Sequence, residues 1–294
     1  MENNTLIVVD ANSLLHRAFH ALPPLSHNGQ PTGGVYGSLL TLFKAMKDVQ
    51  ARYVVACFDT PQATFRHEAF AEYKAHRAET PKDIISQISL MKEVLRGLAI
   101  PVFEKPGFEA DDLVATIATR ASALSGVVVY IVSGDLDNLQ LVTESVKLYT
   151  LGKGIKDSLI YDSAKVVERF GVQPSQMNDF KALTGDASDN VPGVPGIGKT
   201  TAADLIARFG SIENLYGELA TDTAVLKPKV KEALKQNKDK AFLSLQLVQT
   251  KRDVAIDFSL EQCRFGAFDQ RAVQDLFSRL GFASLVERVS AVIF

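Results

Sequence analysis

The chain has 294 residues, 46% of them hydrophobic and 22% charged, the balance of a soluble globular protein with ample core for one large domain or two ordinary ones. The opening MENNTLIVVD lacks a basic n-region, and no stretch approaches the ~20 apolar residues of a membrane span, so neither a signal peptide nor a membrane partner is expected and the chain reads as cytoplasmic. Cys57 and Cys263 lie far apart without metal-ligand spacing and read as reduced and structural, while a formal net charge of −2, taken as one sum, argues against a nucleic-acid partner.

In chain order, Leu6–Asp10 (LIVVD) is a short β-branched run that ends in an acid. Tyr53–Asp59 (YVVACFD) and Val127–Asp135 (VVVYIVSGD) repeat the pattern. Continuous apolar runs of this kind predict strands buried on both faces, as in a parallel sheet. Between them lie segments with helical spacing: Val35–Val49, Lys82–Leu98 and the stretch after Gly107, GFEADDLVATIATRA. The alternation predicts an α/β fold whose functional crevice lies beyond the carboxyl ends of the strands.

Asp10, Asp59 and Asp135 each close a strand, and Asp137 follows two residues later. A single strand-end Asp is commonly a turn former or helix cap. Three of them, with Glu109, Asp111 and Asp112 opening a helix nearby, are harder to explain as caps, because crowded acids repel one another. A bound divalent cation relieves that repulsion. GDASDN (185–190) adds Asp186 and Asp189. Setting these nine acids aside from the net −2 leaves +7 on the rest of the chain. The charge pattern is then a mildly basic body carrying one acidic pit, which suits a polyanion held by its phosphates while metals fill the pit.

Gly193–Thr200 (GVPGIGKT) formally satisfies the phosphate-loop pattern, but a true phosphate loop follows a buried strand, and the residues before it are DASDNVP. The other reading is a tight hairpin between helices at Ser175–Leu183 and Thr200–Phe209. In that hairpin Gly193, Gly196 and Gly198 let backbone N–H groups approach a DNA phosphate at the positive end of the second helix. Lys227–Lys240 holds six lysines against Glu232 and Asp239, a solvated helix face or a phosphate-tracking one. The remainder is helical in pattern and chemically quiet.

With LIVVDANSLLHRAFHAL, FDTPQATFRHEAFAEYKAHRAETP, GFEADDLVAT, SGDLDNLQLV and DFKALTGDASDNVPGVPGIGKTTA in this order, the chain resembles the 5′-nucleases of the flap endonuclease superfamily. Within it the 5′→3′ exonuclease domains of bacterial DNA polymerase I look most similar. The resemblance implies a mostly parallel central sheet flanked by helices, a PIN-like nuclease core over residues 1–173. It further implies a helical arch at about 65–98 and a helical, helix-hairpin-helix-type DNA-binding subdomain over 174–294, with the glycine hairpin at 191–200. By the same resemblance Asp10, Asp59, Glu109, Asp111 and Asp112 form a first metal site, and Asp135, Asp137, Asp186 and Asp189 form or support a second. Lys74 and Arg77 contact the scissile phosphate beside the catalytic Asp111. Arg66 belongs to the DNA-binding arch, Tyr73 stacks on a base, and the hairpin binds duplex and holds a potassium ion. In one departure, Lys199 follows Gly198 directly and Thr200 takes the usual lysine position.

The expected chemistry is phosphodiester hydrolysis with two Mg²⁺ or Mn²⁺ ions, since oxygen-only ligands suit hard cations. The expected substrate is DNA with 5′ flaps, nicks or free 5′ ends, acted on by a monomer with a polymerase domain in cis or in trans. His16, His20 and His67 form no constellation and read as local contacts. The alternatives are a PIN-type ribonuclease, which needs no glycine hairpin, and a non-catalytic DNA-junction binder, which needs no acids.

Overall fold

The computed structural model describes residues 4–151 and 157–293. Met1, Glu2 and Asn3, part of the opening read above for a leader, lie outside them. The chain begins with strand β1 (Asn4–Asp10), helix α1 (Ala11–Ala21), the two-residue strands β2 (Ser26–His27) and β3 (Gln30–Pro31), and α2 (Gly33–Val49). It continues through β4 (Tyr53–Phe58), α3 (Phe65–Ala69), α4 (Lys82–Gly97), β5 (Val102–Glu104), α5 (Ala110–Ser122) and β6 (Val127–Val132). β7 (Val146–Leu151) and β8 (Ser158–Tyr161) complete a six-stranded sheet in the order β5-β4-β1-β6-β7-β8.

All neighbours in that sheet are parallel except β7 and β8, which pair antiparallel. The chain leaves β1 toward β4 and β5 on one side, then returns across to β6 on the other, so β1 sits at the point where strand order reverses. Crevices form at such a point beyond the carboxyl ends of the strands. The apolar runs predict this sheet because both faces are covered. Leu6 and Val8 of β1 face one core cluster with α5, while Ile7 and Val9 face another with α1, α2 and α4.

After β8 the chain is helical: α6 (Ser163–Phe170), α7 (Met177–Thr184), α8 (Lys199–Phe209), α9 (Ile212–Ala220), α10 (Pro228–Gln236), α11 (Lys238–Val248), α12 (Gln270–Arg279) and α13 (Ala283–Ser290). The helical subdomain expected over 174–294 is divided. Helices α7 to α11 share the core cluster of α5, whereas Val273, Phe277, Leu280, Phe282, Leu285 and Val289 of α12 and α13 pack on the opposite side with α2 and α4. The amphipathic stripes of α12 and α13 find an apolar surface there, and local sequence carries no sign of which side of the sheet will supply it.

The arch expected at about 65–98 is also narrower. Helix α4 buries Ile84, Leu90, Met91, Val94 and Leu95 and is a core helix. What precedes it is the five-residue α3 and a run of turns through Arg77. Residues 71–81 carry charges and Pro81 and bury only Tyr73, too little for an amphipathic helix face.

Candidate active site and nucleic-acid interface

Four elements deliver the acids. Asp10 ends β1 and caps α1, its Oδ1 accepting from the Ser13 amide at 3.1 Å and its Oδ2 from the Ser133 hydroxyl at 2.7 Å. Asp59, exposed just past β4, accepts from the Ala110 amide at 2.7 Å, which ties the end of β4 to the start of α5. Asp135 and Asp137 follow β6, the first capping a short 3₁₀ turn, Leu136–Leu141, through the Asp137 amide at 2.9 Å. Glu109 and Asp112 form the reciprocal capping box of α5, with Asp111 between them.

A cavity of about 700 Å³ opens over the strand ends, lined by Asp10, Asp59, Asp111 and Asp135 on the acidic side and by Lys74 and Arg77 from the turns after α3. Burial, outweighing the Ser133 hydrogen bond, and the charges of Asp59 and Asp135 push the Asp10 carboxyl up to about 7. Burial and the nearby charges of Asp10 and Asp135 raise Asp111 well above the usual carboxylate range. Burial and Asp135 also raise Asp137 to about 7, although Lys181 touches it. The same lysine reaches Asp186 at 2.9 Å. There burial is outweighed by Lys181 and Ser188, and the carboxyl is held down to about 2.

The expected cations are present but are occupied by the acids. Lys74 Nζ lies 2.8 Å from Glu109 and 3.8 Å from Asp189, and Arg77 pairs with Asp189. Lys74 takes a left-handed φ of 57°, held by its amide donating to the Asp189 carbonyl at 3.0 Å. The Asn190 side chain donates to the Glu72 carbonyl at 2.8 Å, so the turns after α3 are latched onto the 186–191 loop. No three His, Cys, Asp or Glu side chains among the described residues stand close enough together to hold one ion.

The donor chemistry nonetheless fits a hard divalent cation. Carboxylates supply the ligands, and burial with neighbouring carboxylates raises the pKa of the buried Asp10 and of the half-buried Asp111 and Asp137. Two polar atoms beside expected ligands, Thr60 Oγ1 and Asn138 Oδ1, are buried with no hydrogen-bond partner.

Four sequence expectations are corrected. Asp112 is fully buried, and both its oxygens are taken: Oδ2 by Arg66 at 2.8 Å and the Glu109 amide, Oδ1 by Arg66 at 2.9 Å and the Lys251 amide. It braces the site and has no lone pair open to an ion. Arg66, 3% exposed, also donates to the Leu247 and Gln249 carbonyls; it is an internal clamp and offers DNA nothing. Tyr73 is equally buried, its ring edge-on to His67 and its hydroxyl donating to Glu109 and Asp189 at 3.2 and 3.3 Å, so no ring face is presented to a base. The Gly193 amide is buried and donates to Ser244 Oγ at 2.9 Å, so it is not free for a phosphate.

Gly196, Gly198, Lys199 and Thr200 are exposed, and Gly198 begins α8 with no side chain capping its amides. That is an anion-binding helix start. The preceding segment is the Asp186–Val191 turn after α7, not a strand, which removes the phosphate-loop reading.

The sequence missed four contributors. Lys181 lies on α7 and bridges two acids. His16 and His20 line the cavity, and their four-residue spacing on α1 after Asp10 was a signal for it. Asn138 donates to Asp111 at 3.1 Å.

Residues 5–171 match the model of the 5′-3′ exonuclease N-terminal resolvase-like domain, and residues 172–271 that of the 5′-3′ exonuclease C-terminal SAM fold. The chain belongs to the 5′-3′ exonuclease family. Among curated members, DNA polymerase I of Bacillus caldotenax is 40% identical over 288 residues, which cover 97% of this chain and 32% of that protein. DNA polymerase I of Mycobacterium bovis is 39% identical, with 97% and 31% covered. The chain thus spans about a third of the length of these family members. Among solved structures, T5 5′-exonuclease with bound zinc shares the fold with a TM-score of 0.68 at 24% identity, covering 99% of this chain and 98% of that one. The catalytic core of Rad2 with DNA substrate shares it with a TM-score of 0.64 at 17% identity, covering 99% and 92%.

Proposed function

We propose that the chain is a metal-dependent 5′-nuclease that hydrolyses DNA phosphodiesters at 5′ flaps, nicks and free 5′ ends. The observation that carries this reading is the cavity in which the buried Asp10 and the half-buried Asp111, both with raised pKa, face Lys74 and Arg77. Asp10, Asp59, Glu109 and Asp111 would hold one Mg²⁺ or Mn²⁺, and Asp135, Asp137, Asp186 and Asp189 a second. Bound there, such ions supply positive charge at the phosphate and lower the pKa of a water.

The protein's own groups do the rest. Lys74 and Arg77 exchange their carboxylate partners for the non-bridging oxygens of the scissile phosphate, where negative charge develops as the water oxygen bonds to phosphorus and the bond to the leaving deoxyribose oxygen breaks. The free amides at the start of α8 take a phosphate of the duplex, which positions the DNA without reading its sequence. The Gly196–Thr200 turn is also where a potassium ion would bind through backbone carbonyls. Residues 1–173 would act as the nuclease core and α7 to α11 as the duplex-binding part, working in the cytoplasm as a monomer, with a polymerase domain in cis or as a separate partner.

Cleavage of a 5′-labelled flap duplex with Mg²⁺ and with EDTA, for the wild type and Asp111→Asn, tests the proposal. Mg²⁺-dependent cutting near the flap junction, lost in the variant, is the expected result. Tight flap binding with no cutting would replace it with a junction-binding protein.

A further inference from the structure

Asn138 lies in the 3₁₀ turn after β6 and is 1% exposed. Its Nδ2 donates to Asp111 Oδ1 at 3.1 Å, while its own Oδ1 is buried and accepts from nothing. A buried carbonyl without a donor is costly, and native folds rarely keep one without a reason. Asp137 and Gln140 of the same turn, together with Asp111, border a cavity of about 20 Å³, enough for one water molecule. Asn138 sits in the turn between these residues without bordering the cavity itself; an amide half satisfied by a carboxylate in that position has the form of a ligand-orienting partner whose second bond is made only when the site is filled.

We propose that Asn138 is a positioning residue for the metal site: Nδ2 fixes Asp111, and Oδ1 accepts a hydrogen bond from a water in the hydration shell of the cation held there. This rests on the divalent-metal reading above. Partners of metal ligands of this kind typically change affinity by about 10–100-fold when removed. In the metal-free protein, removing the amide relieves the orphan carbonyl but leaves Asp111 Oδ1 without its donor, so the two changes in stability offset. A loss of Mn²⁺ affinity without a matching loss of metal-free stability is what a merely structural asparagine would not produce.

The experiment measures thermal melting against Mn²⁺ concentration, with direct Mn²⁺ binding by electron paramagnetic resonance, for the wild type, Asn138→Leu and Asn138→Asp. The expected result for Asn138→Leu is Mn²⁺ affinity weakened by about 10–100-fold, with a metal-free Tm close to wild type. Asn138→Asp keeps Oδ1 but trades the Nδ2 donor for a charge beside Asp111; its metal-free Tm falls, while its Mn²⁺ affinity exceeds that of Asn138→Leu. Unchanged Mn²⁺ affinity in Asn138→Leu, or an Asn138→Asp protein that binds as weakly as Asn138→Leu, overturns the assignment. Wild-type protein that binds no Mn²⁺ overturns the metal reading itself, and this inference with it.

Discussion

Asp10 and Asp137 both titrate near 7, and the consequence for stability has a definite sign. Their ordinary value is 3.8, so between about pH 4 and pH 7 the unfolded chain has released protons that the fold still binds, and stability falls as pH rises. Asp186, held near 2, acts the other way but only below its ordinary value. Melting of the metal-free protein should therefore give a lower Tm at about pH 7.5 than at about pH 5.5, a slope that Mg²⁺ abolishes and Asp10→Asn reduces. A pH-independent Tm across that window would mean the carboxyls are not strained. Lys74→Ala separates charge at the phosphate from charge on the acids. It should lower kcat by about 10²–10³, the usual effect of deleting one preorganised partner of developing negative charge, with little change in the KM for flap DNA. Arg66→Leu should instead cost about 3–5 kcal/mol of stability, because it leaves Asp112 charged and buried without its partner; urea unfolding measures it.

At the scale of elements, the glycine hairpin shows how close packing and exposure divide the work of neighbouring residues. A Cβ on Gly193 would stand 2.4 Å from the Gly185 amide nitrogen, at a φ of 60°, whereas one on Gly196 would meet nothing within 4 Å. Gly193→Ala should cost about 2–4 kcal/mol from overpacking and left-handed strain together, and Gly196→Ala about 1–2 from strain alone. Equal losses in Tm would refute this crossing of backbones. The sequence announced the hairpin, since the glycine spacing and the two flanking helices are local. It did not announce which amide is free, because Ser244 is fifty-one positions from Gly193. The same limit explains the rest of the site. Asp10, Asp59 and Asp135 were legible because each closes a run of apolar residues, whereas the burial of Asp112 depends on the Lys251 amide and on an Arg66 that sequence alone reads as one more surface charge. The antiparallel β8 and the placement of α12 and α13 on the far side of the sheet are set by surfaces that form only once the sheet exists.

Across the whole molecule, the proposed function would make the charge pattern couple metal to DNA. Asp10, Asp59, Glu79, Asp111 and Asp135 line the crevice against Lys74 and Arg77, an excess of three negative charges when all are ionised. A DNA substrate of the proposed kind would be repelled there, where its scissile phosphate would sit, while the exposed start of α8 and the lysines of α10 would attract it. Divalent ions held by the acids would remove the repulsion, and Lys74 and Arg77 would then be free to leave Glu109 and Asp189 for phosphate. Affinity for a 5′-flap duplex should accordingly rise when EDTA is replaced by Ca²⁺ at constant ionic strength, and fall with added salt in either condition as phosphate contacts are screened. Replacing Asp111 and Asp135 together by Asn should weaken the Ca²⁺ effect while raising affinity in EDTA, since the variant carries less negative charge into the crevice. If the double variant instead binds flap DNA in EDTA no better than wild type, the acids do not gate the approach of DNA, and the coupling must come from the turns after α3 alone.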